Sequence, residues 1–265
     1  NLRSGGPTDL ANQLVRFQVD TSTEVVLLDA ADVMSRVQAQ QEELSVEEQL
    51  RRERTRTRST GVTAYEVSRS AQLILVALPC GLVVVPLDAQ VPSGDGEPHW
   101  RLILPIGPGE AAVQEAAFNR TGTAVSFVRN DEVYLVNVDG LTAPVRVTYG
   151  AMGTQGITHG LADYIAQEEM ARHRGHWCSP DGSCLAFTRV DELHVPEYTI
   201  VHQGKGVTGP APTETHRYPF AGERNAEVSL CVVDVDPAAR AGDVEERFVL
   251  ANDALAWDDL QRSRV

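Results

Sequence analysis

Three segments of the chain share one plan, in which an apolar or aromatic stretch is followed by a polar turn and a second apolar stretch. They read "AYEVSRSAQLILVA", "AAFNRTGTAVSFVR" and "HWCSPDGSCLAFTR". When Ser70, Gly122 and Gly182 are placed at the same position of the turn, the repeats are 52 and 60 residues apart. Such periods are typical of four-stranded blades with insertions, so the pattern predicts a β-propeller.

A second strand-like segment follows each repeat: "GLVVVPLD", "DEVYLVNVDG" and "EYTIVHQG". In the second of these, Val133, Leu135 and Val138 lie among polar residues with a spacing near two, which predicts a strand with one wetter face. Earlier, "LVRFQVDTSTEVVLLDA" predicts two strands around a polar turn. The predicted fold is therefore all-β: a partial β-propeller of four-stranded antiparallel blades with short helical insertions.

A charged segment, "LSVEEQLRRERTR", interrupts this pattern near the N-terminus. Ser45 is followed three residues later by Glu48, a spacing typical of a helix N-terminal capping box, and the segment predicts a short surface helix. We therefore divide the chain into residues 1–60, a partial blade with a charged surface helix or linker, and residues 61–265, about three blades.

The second interruption, "GLADYIAQEEMARHRG", predicts a short helix inserted between blades at residues 161–171. Leu161, Ile165 and Met170 have roughly helical spacing, and Glu168 and Glu169 follow one another at the end of this apolar stripe. Successive residues diverge by about 100° around a helix, so both carboxylates can reach one ligand only near a helix end. Neighbouring carboxylates repel each other, so the pair is either a solvated helix face, as isolated pairs usually are, or it binds a cation between its two members.

The charge balance excludes some classes of partner. The chain has 37 acidic and 23 basic residues, whereas nucleic acids and anionic membranes attract Lys and Arg, so we expect neither as a partner. The longest apolar run, from Leu73 to Leu87, is interrupted by Pro79 and Gly81 and is shorter than the roughly 20 residues that span a bilayer. The scattered histidines lack acidic or thiol companions at metal-ligand spacing, so the sequence predicts neither a metal site nor a cofactor.

Four motifs extend this interpretation, and they follow one another between about residues 50 and 235. They are "RSTGVTAYEV", "GLADYIAQEEM" with its double glutamate, "HWCSPDG", and "HRYPFAGERNAEVSL". In this order they resemble the propeller domain of the dipeptidyl peptidase IV family, serine exopeptidases of the prolyl oligopeptidase type. The double glutamate followed by Arg-Tyr-Pro-x-Ala-Gly is the most specific part of the resemblance.

The resemblance implies a function for the acidic pair. In such enzymes a double glutamate on a propeller insertion binds the free α-ammonium of the peptide substrate, so Glu168 and Glu169 are the expected amine-binding residues. Peptides with a free N-terminus are the implied substrates, and N-terminal dipeptides the implied products. The fourth motif is either a structural connection between strands, which we favour, or part of the wall of the substrate cavity, for which Tyr218 and Arg217 are secondary candidates.

The resemblance also implies a partner domain and leaves two questions open. The catalytic Ser, Asp and His of such enzymes lie in an α/β-hydrolase domain, expected here beyond Val265. Family members place an arginine near the substrate carbonyl, but "LILVALP" runs directly into "CGLVVVPL", and Arg51 to Arg58 contain substitutes that the sequence does not assign. The alternative function is a non-catalytic propeller that serves as a protein-interaction scaffold, which would have no need for a paired-acid insertion.

Two further expectations concern assembly and location. An incomplete propeller exposes blade faces and strand edges, so we expect self-association into a homo-oligomer. The sequence shows no signal-peptide pattern, which favours a cytoplasmic location, although it starts at Asn1 rather than at Met, so that a secreted or periplasmic location stays open.

The sequence predicts that the 265-residue chain alone releases no dipeptides. A nucleophile elbow needs Gly-x-Ser-x-Gly, and in this chain no Gly is followed two residues later by Ser. An assay with dipeptide-releasing substrates tests this, and turnover by the purified chain would contradict it.

Overall fold

The chain folds into successive antiparallel sheets that are built mainly from strands adjacent in sequence. The computed structural model describes residues 1–4, 11–37, 59–89, 97–201, 213–235 and 249–250. The helices described are α1 (Ala30–Arg36) and α2 (Tyr164–Glu169). The strands described are β1 (Leu2–Ser4), β2 (Ala11–Gln18), β3 (Thr23–Leu28), β4 (Thr60–Gly61), β5 (Glu66–Ser68), β6 (Leu73–Leu78), β7 (Gly81–Pro86), β8 (Arg101–Pro105), β9 (Gln114–Phe118), β10 (Ala124–Arg129), β11 (Glu132–Asn137), β12 (Val145–Arg146), β13 (Ile157–His159), β14 (His176–Cys178), β15 (Cys184–Asp191), β16 (Glu197–Val201), β17 (Thr213–Arg217), β18 (Glu227–Asp234) and β19 (Val249–Leu250).

Three of these sheets are the predicted blades. The first has the strand order β5-β6-β7-β8, and the second has β9-β10-β11-β12. In the third, β13 and β14 pair with successive parts of β15, which is followed by β18 and β19. Strands β1 to β4 form the N-terminal sheet, in which β2 and β3 are the two strands expected there. The prediction of a partial all-β propeller is confirmed.

The polar residues that close the first turn of each blade set the repeat. Ser68, Asn119 and Ser179 each accept a hydrogen bond from a backbone N–H across the turn. Asn119 and Ser179 are 60 residues apart, as predicted for the second and third repeats. Ser68 and Asn119 are 51 residues apart, rather than the 52 predicted for the first and second repeats. The difference of one residue arises because four residues separate β5 from β6, whereas five separate β9 from β10.

The hydrophobic core lies between the sheets. One cluster joins the N-terminal sheet and α1 to the first blade, a second joins the first and second blades, and a third joins the second and third blades. Phe127 of β10 and Phe187 of β15 are fully buried in the second and third clusters. The first and second blades are therefore stabilised by apolar contacts on both of their faces.

This packing corrects the prediction that the strand in "DEVYLVNVDG" has one wetter face. Val133 and Leu135 are buried, but so are Glu132 and Val136, which point to the other face of β11. Alternation of apolar and polar residues indicates a solvent-exposed face only where one side of a sheet meets solvent. Both sides of this blade are covered by neighbouring sheets.

The continuation predicted for the third repeat is also wrong. The segment "EYTIVHQG" contains β16, which does not pair with β15 but forms a separate two-stranded sheet with β17. All five residues of β16 are exposed, and the blade takes its next strand from β18, which pairs with β15 along its whole length. We call β16 and β17 the projecting hairpin. The surface helix expected in "LSVEEQLRRERTR" lies outside the described residues.

A buried carboxylate connects the second and third blades. Glu132 is fully buried at the start of β11, where it accepts hydrogen bonds from the Ala151 N–H at 2.7 Å, the Met152 N–H at 3.1 Å and the Thr148 hydroxyl at 2.6 Å. Its Oε2 atom also lies 2.9 Å from Nδ1 of His159 in β13. Burial alone would raise the pKa of Glu132, but these hydrogen bonds outweigh burial and lower it.

Replacing Glu132 with Gln should reduce the free energy of unfolding of the chain at neutral pH by about 2–4 kcal/mol, because the new amide group cannot accept bonds from all four donors. The folded-state pKa of Glu132 is lowered, so its contribution is complete above its ordinary pKa of 4.5 and is lost as the pH falls through the folded value. Urea denaturation at several pH values should show the difference between variant and parent shrinking in acid.

The matched control is Glu110→Gln, which makes the same chemical change at an exposed carboxylate 3.6 Å from Arg129. Because solvent reaches Glu110, it screens this ion pair and keeps its contribution below about 1 kcal/mol, so this variant should unfold close to the parent. Equal effects of the two substitutions would contradict the role given to Glu132.

Candidate functional site

The acidic pair lies on a short helix between β13 and β14, the two strands that pair with successive parts of β15. Helix α2 covers Tyr164–Glu169, within the predicted insertion 161–171. Asp163 caps its N-terminus by accepting a hydrogen bond from the Ala166 N–H at 3.2 Å, and Ala166 is the residue of the helix that is buried. The side of α2 that carries Ala166 is therefore fixed against the body of the protein.

Glu168 and Glu169 are the last two residues of α2, and both are exposed. Since successive helical residues point about 100° apart, their position at the helix end is the one in which both carboxylates can approach the same ligand. The structure thus places the pair where the sequence predicted it.

Backbone contacts close the base of the insertion. The Ala162 N–H donates to His173 O and the Gly175 N–H donates to Gly160 O, both at 2.9 Å. A side chain at Gly175 would come within 2.6 Å of Leu161 O, and Gly160 has a φ of +79°. Glycine is needed at both positions, because one requires close approach and the other a left-handed backbone. The base of the insertion is consequently a tight crossing of two chain segments.

The chain that leaves α2 turns back onto it. Ala171 has a φ of +51°, and the N–H of Arg172 then donates to Ala166 O at 3.1 Å. The guanidinium of Arg172 also lies 3.4 Å from a carboxylate oxygen of Asp163, the N-terminal cap. Both ends of α2 are thus connected by one arginine.

An ion pair connects the insertion to the first blade. Nη1 of Arg174 lies 3.3 Å from Oε2 of Glu66 in β5, and Oε1 of Glu66 accepts a hydrogen bond from the Phe118 N–H of β9 at 3.2 Å. Strands β5 and β9 are the first strands of the first and second blades, and they lie side by side. The insertion that carries the acidic pair is therefore connected through Arg174 to the first strands of these two blades.

Of the secondary candidates, Arg217 is the last residue of β17 in the projecting hairpin, and Tyr218 directly follows it. The ring of Tyr218 packs edge to face on the ring of Tyr164, with centroids 5.5 Å apart. Arg217 instead donates to Val195 O at 2.8 Å and pairs with Glu197 at 3.0 Å. The structure brings Tyr218 to the helix that carries the acidic pair, and it commits the guanidinium of Arg217 to the base of the hairpin.

Sequence reasoning did not single out several residues that support the site. Asp163 could have been found, since an Asp directly before a helical pattern is a common N-terminal cap. The pair of Arg174 and Glu66 could not, because 108 residues separate them. Within the described residues, no group of three or more His, Cys, Asp or Glu side chains could hold a metal ion, and no helix is long and apolar enough to cross a membrane.

His176 fixes the strand that follows the insertion. It is buried at the start of β14, where Nδ1 lies 2.9 Å from the carbonyl oxygen of Gly160 and so donates to it. Burial lowers the pKa of His176 to about 4, and the charge of Arg174 acts in the same direction. The imidazole is therefore neutral at physiological pH.

This histidine should make the chain less stable in acid. Its folded-state pKa of about 4 lies below the ordinary value of 6.5, so the unfolded chain binds the proton first, and stability falls as the pH drops from 6.5 to 4. The loss amounts to about 3 kcal/mol, and it should be absent from His176→Asn, whose amide can still donate to Gly160. Urea denaturation across this pH range measures it.

The control is His194→Asn at an exposed histidine, which should leave the pH dependence of unfolding within about 0.5 kcal/mol of the parent. If His176→Asn retained the full acid loss, the assignment of that loss to His176 would be wrong.

Comparison with known proteins gives consistent matches. The model of the family described as the dipeptidyl peptidase IV (DPP IV) N-terminal region matches residues 91–257. A probable dipeptidyl-aminopeptidase B of Chaetomium globosum is 35% identical over 143 residues, which cover 49% of this chain and 15% of that protein. A probable dipeptidyl peptidase 4 of Neosartorya fischeri is 30% identical over 143 residues, covering 52% of this chain and 18% of that protein. The chain thus matches less than a fifth of the length of these relatives.

A solved structure agrees with the fold. The crystal structure of Porphyromonas gingivalis dipeptidyl peptidase 4 is similar to this chain with a TM-score of 0.57, and the match covers 96% of this chain and 34% of that one. The sequence identity is 20%, so this likeness concerns the fold alone.

Proposed function

This chain belongs to the family of the dipeptidyl peptidase IV N-terminal region, and on that premise we propose that it is the substrate-recognition part of a serine dipeptidyl aminopeptidase. In this proposal Glu168 and Glu169 bind the free α-ammonium of a peptide substrate. The catalytic Ser, Asp and His belong to an α/β-hydrolase domain of the same gene product, beyond Val265.

The observation that carries the proposal is the placement of two adjacent carboxylates at the exposed end of a firmly held helix. Carboxylates only accept hydrogen bonds and an ammonium only donates them, so the two are complementary. Such bonds are charge-assisted and are roughly twice as strong as bonds between neutral groups. A cation between the two side chains also removes their mutual repulsion.

The supports of the helix favour a binding site over a merely solvated surface. The Asp163 cap, the return of Arg172 and the backbone crossing at Gly160 and Gly175 hold α2 in one orientation. A recognition group is effective when its neighbours fix its geometry before the ligand arrives. Holding the amine at a fixed distance from the hydrolase nucleophile then selects the second peptide bond, which accounts for dipeptide release.

Replacing Glu168 or Glu169 with Gln in the full gene product should lower kcat/KM for free-amine dipeptide substrates by roughly 10- to 150-fold. This corresponds to about 1.5–3 kcal/mol, the worth of a hydrogen bond to a charged group, at tenfold for each 1.36 kcal/mol. The rate at which an active-site reagent labels the catalytic serine should not change, because the nucleophile is untouched. Substrates with an acylated N-terminus should show little difference between parent and variants.

The matched control is Glu223→Gln, the same change at an exposed glutamate outside α2. It should leave kcat/KM within about twofold of the parent, well under 1 kcal/mol. If Glu168→Gln and Glu169→Gln also stay within twofold, the amine-binding role is wrong. If the full gene product releases no dipeptides at all, the alternative of a non-catalytic interaction scaffold is favoured instead.

A further inference from the structure

The helix that carries the acidic pair touches the projecting hairpin through two aromatic rings. Tyr164 is the first residue of α2, and its ring meets the ring of Tyr218 with centroids 5.5 Å apart and planes inclined by 66°. Edge-to-face geometry of this kind is attractive beyond the apolar area that it buries. The hairpin therefore has a specific contact with the insertion.

This contact lies on the side of α2 that bears one of the two glutamates. Residues four apart occupy the same face of a helix, so Tyr164 and Glu168 share a face, while Ala166 points to the protein interior. Because α2 has only six residues, few contacts determine its direction. A ring held against Tyr164 thus restrains the helix on the side from which Glu168 projects.

Tyr218 is itself held in place. Its N–H donates to Pro196 O at 3.0 Å, across the base of the hairpin. Its ring packs on Phe220 with centroids 5.3 Å apart, and Phe220 packs on Tyr198 at 5.9 Å. The aromatic row from Tyr198 to Tyr164 therefore connects the exposed hairpin to the helix.

We propose that Tyr218 is a positioning residue of the amine site, which sets the direction of α2 through Tyr164 and thereby the orientation of Glu168 and Glu169. This inference rests on the proposed function of the acidic pair. Asp163 and Arg172 hold the helix within its own insertion, whereas Tyr218 orients it relative to a different part of the fold. Tyr218 acts through the helix and needs no contact with the substrate.

The test compares three single variants of the full gene product. Tyr218→Leu removes the ring and should raise KM for free-amine dipeptide substrates by about 2- to 10-fold, the range expected for loss of an aromatic pair, with kcat changed less. Tyr218→Phe keeps the ring and should stay within twofold. Phe17→Leu removes an exposed ring from β2 of the N-terminal sheet, outside this aromatic row, so it is the matched control and should also stay within twofold.

A double-mutant cycle separates this proposal from the one on which it rests. Combined with Glu168→Gln and Glu169→Gln, Tyr218→Leu should raise KM by less than about twofold further, because its effect passes through those carboxylates. If the Gln variants lose activity but Tyr218→Leu alone does not, only the positioning role is overturned. If the Gln variants keep full activity, the amine site fails first, and positioning fails with it.

Two further assays distinguish the positioning role of Tyr218 from general damage to the enzyme. Positioning predicts that serine labelling by an active-site reagent and turnover of N-acylated substrates are the same in Tyr218→Leu as in the parent. Equal losses in all three assays, or failure of Tyr218→Phe to preserve KM, would overturn the proposal.

Discussion

The structure depends on one constraint: the first and second blades are apolar on both faces, and each must pack between two neighbouring sheets. Strand β7 is buried along its first five residues and β10 along its first five, so neither blade has a face suited to water. Removing this apolar surface from solvent is the main favourable contribution to folding, and here it is available only between sheets. The order of the blades around the propeller follows from this packing, since a sheet with two apolar faces is stable only when sandwiched.

The same constraint determines where polar chemistry can be placed. A charge within an interblade core must be paired, as Glu132 is by His159, Thr148 and two backbone amides. Solvent-exposed charges must instead lie outside the packed sheets, and the insertion before β14 carries such charges. Its base is narrow enough to pass between packed segments because Gly160 and Gly175 carry no side chains, and its tip bears Glu168 and Glu169 in solvent.

The sequence predicts those parts of the fold and of the candidate site whose contacts join residues close together in the chain. Within-blade hairpins leave a pattern of apolar runs and polar turns, so the propeller, the inserted helix and the position of the glutamates at its end could all be predicted. The prediction failed where partners are distant or where burial is two-sided. The third blade continues from β15 to β18, past the projecting hairpin, and Arg174 meets Glu66 across 108 residues. Neither contact leaves a periodic signal in its own segment.

The central claim is that the two adjacent glutamates receive the amine of a peptide. A crystal structure of the full gene product with a slowly cleaved dipeptide ligand measures this most directly. The account predicts that the ligand's α-nitrogen lies about 2.7–2.9 Å from a carboxylate oxygen of Glu168 and at a similar distance from one of Glu169, as charge-assisted hydrogen bonds require. A ligand whose α-nitrogen is held by other groups, with both carboxylates left in solvent, would contradict it.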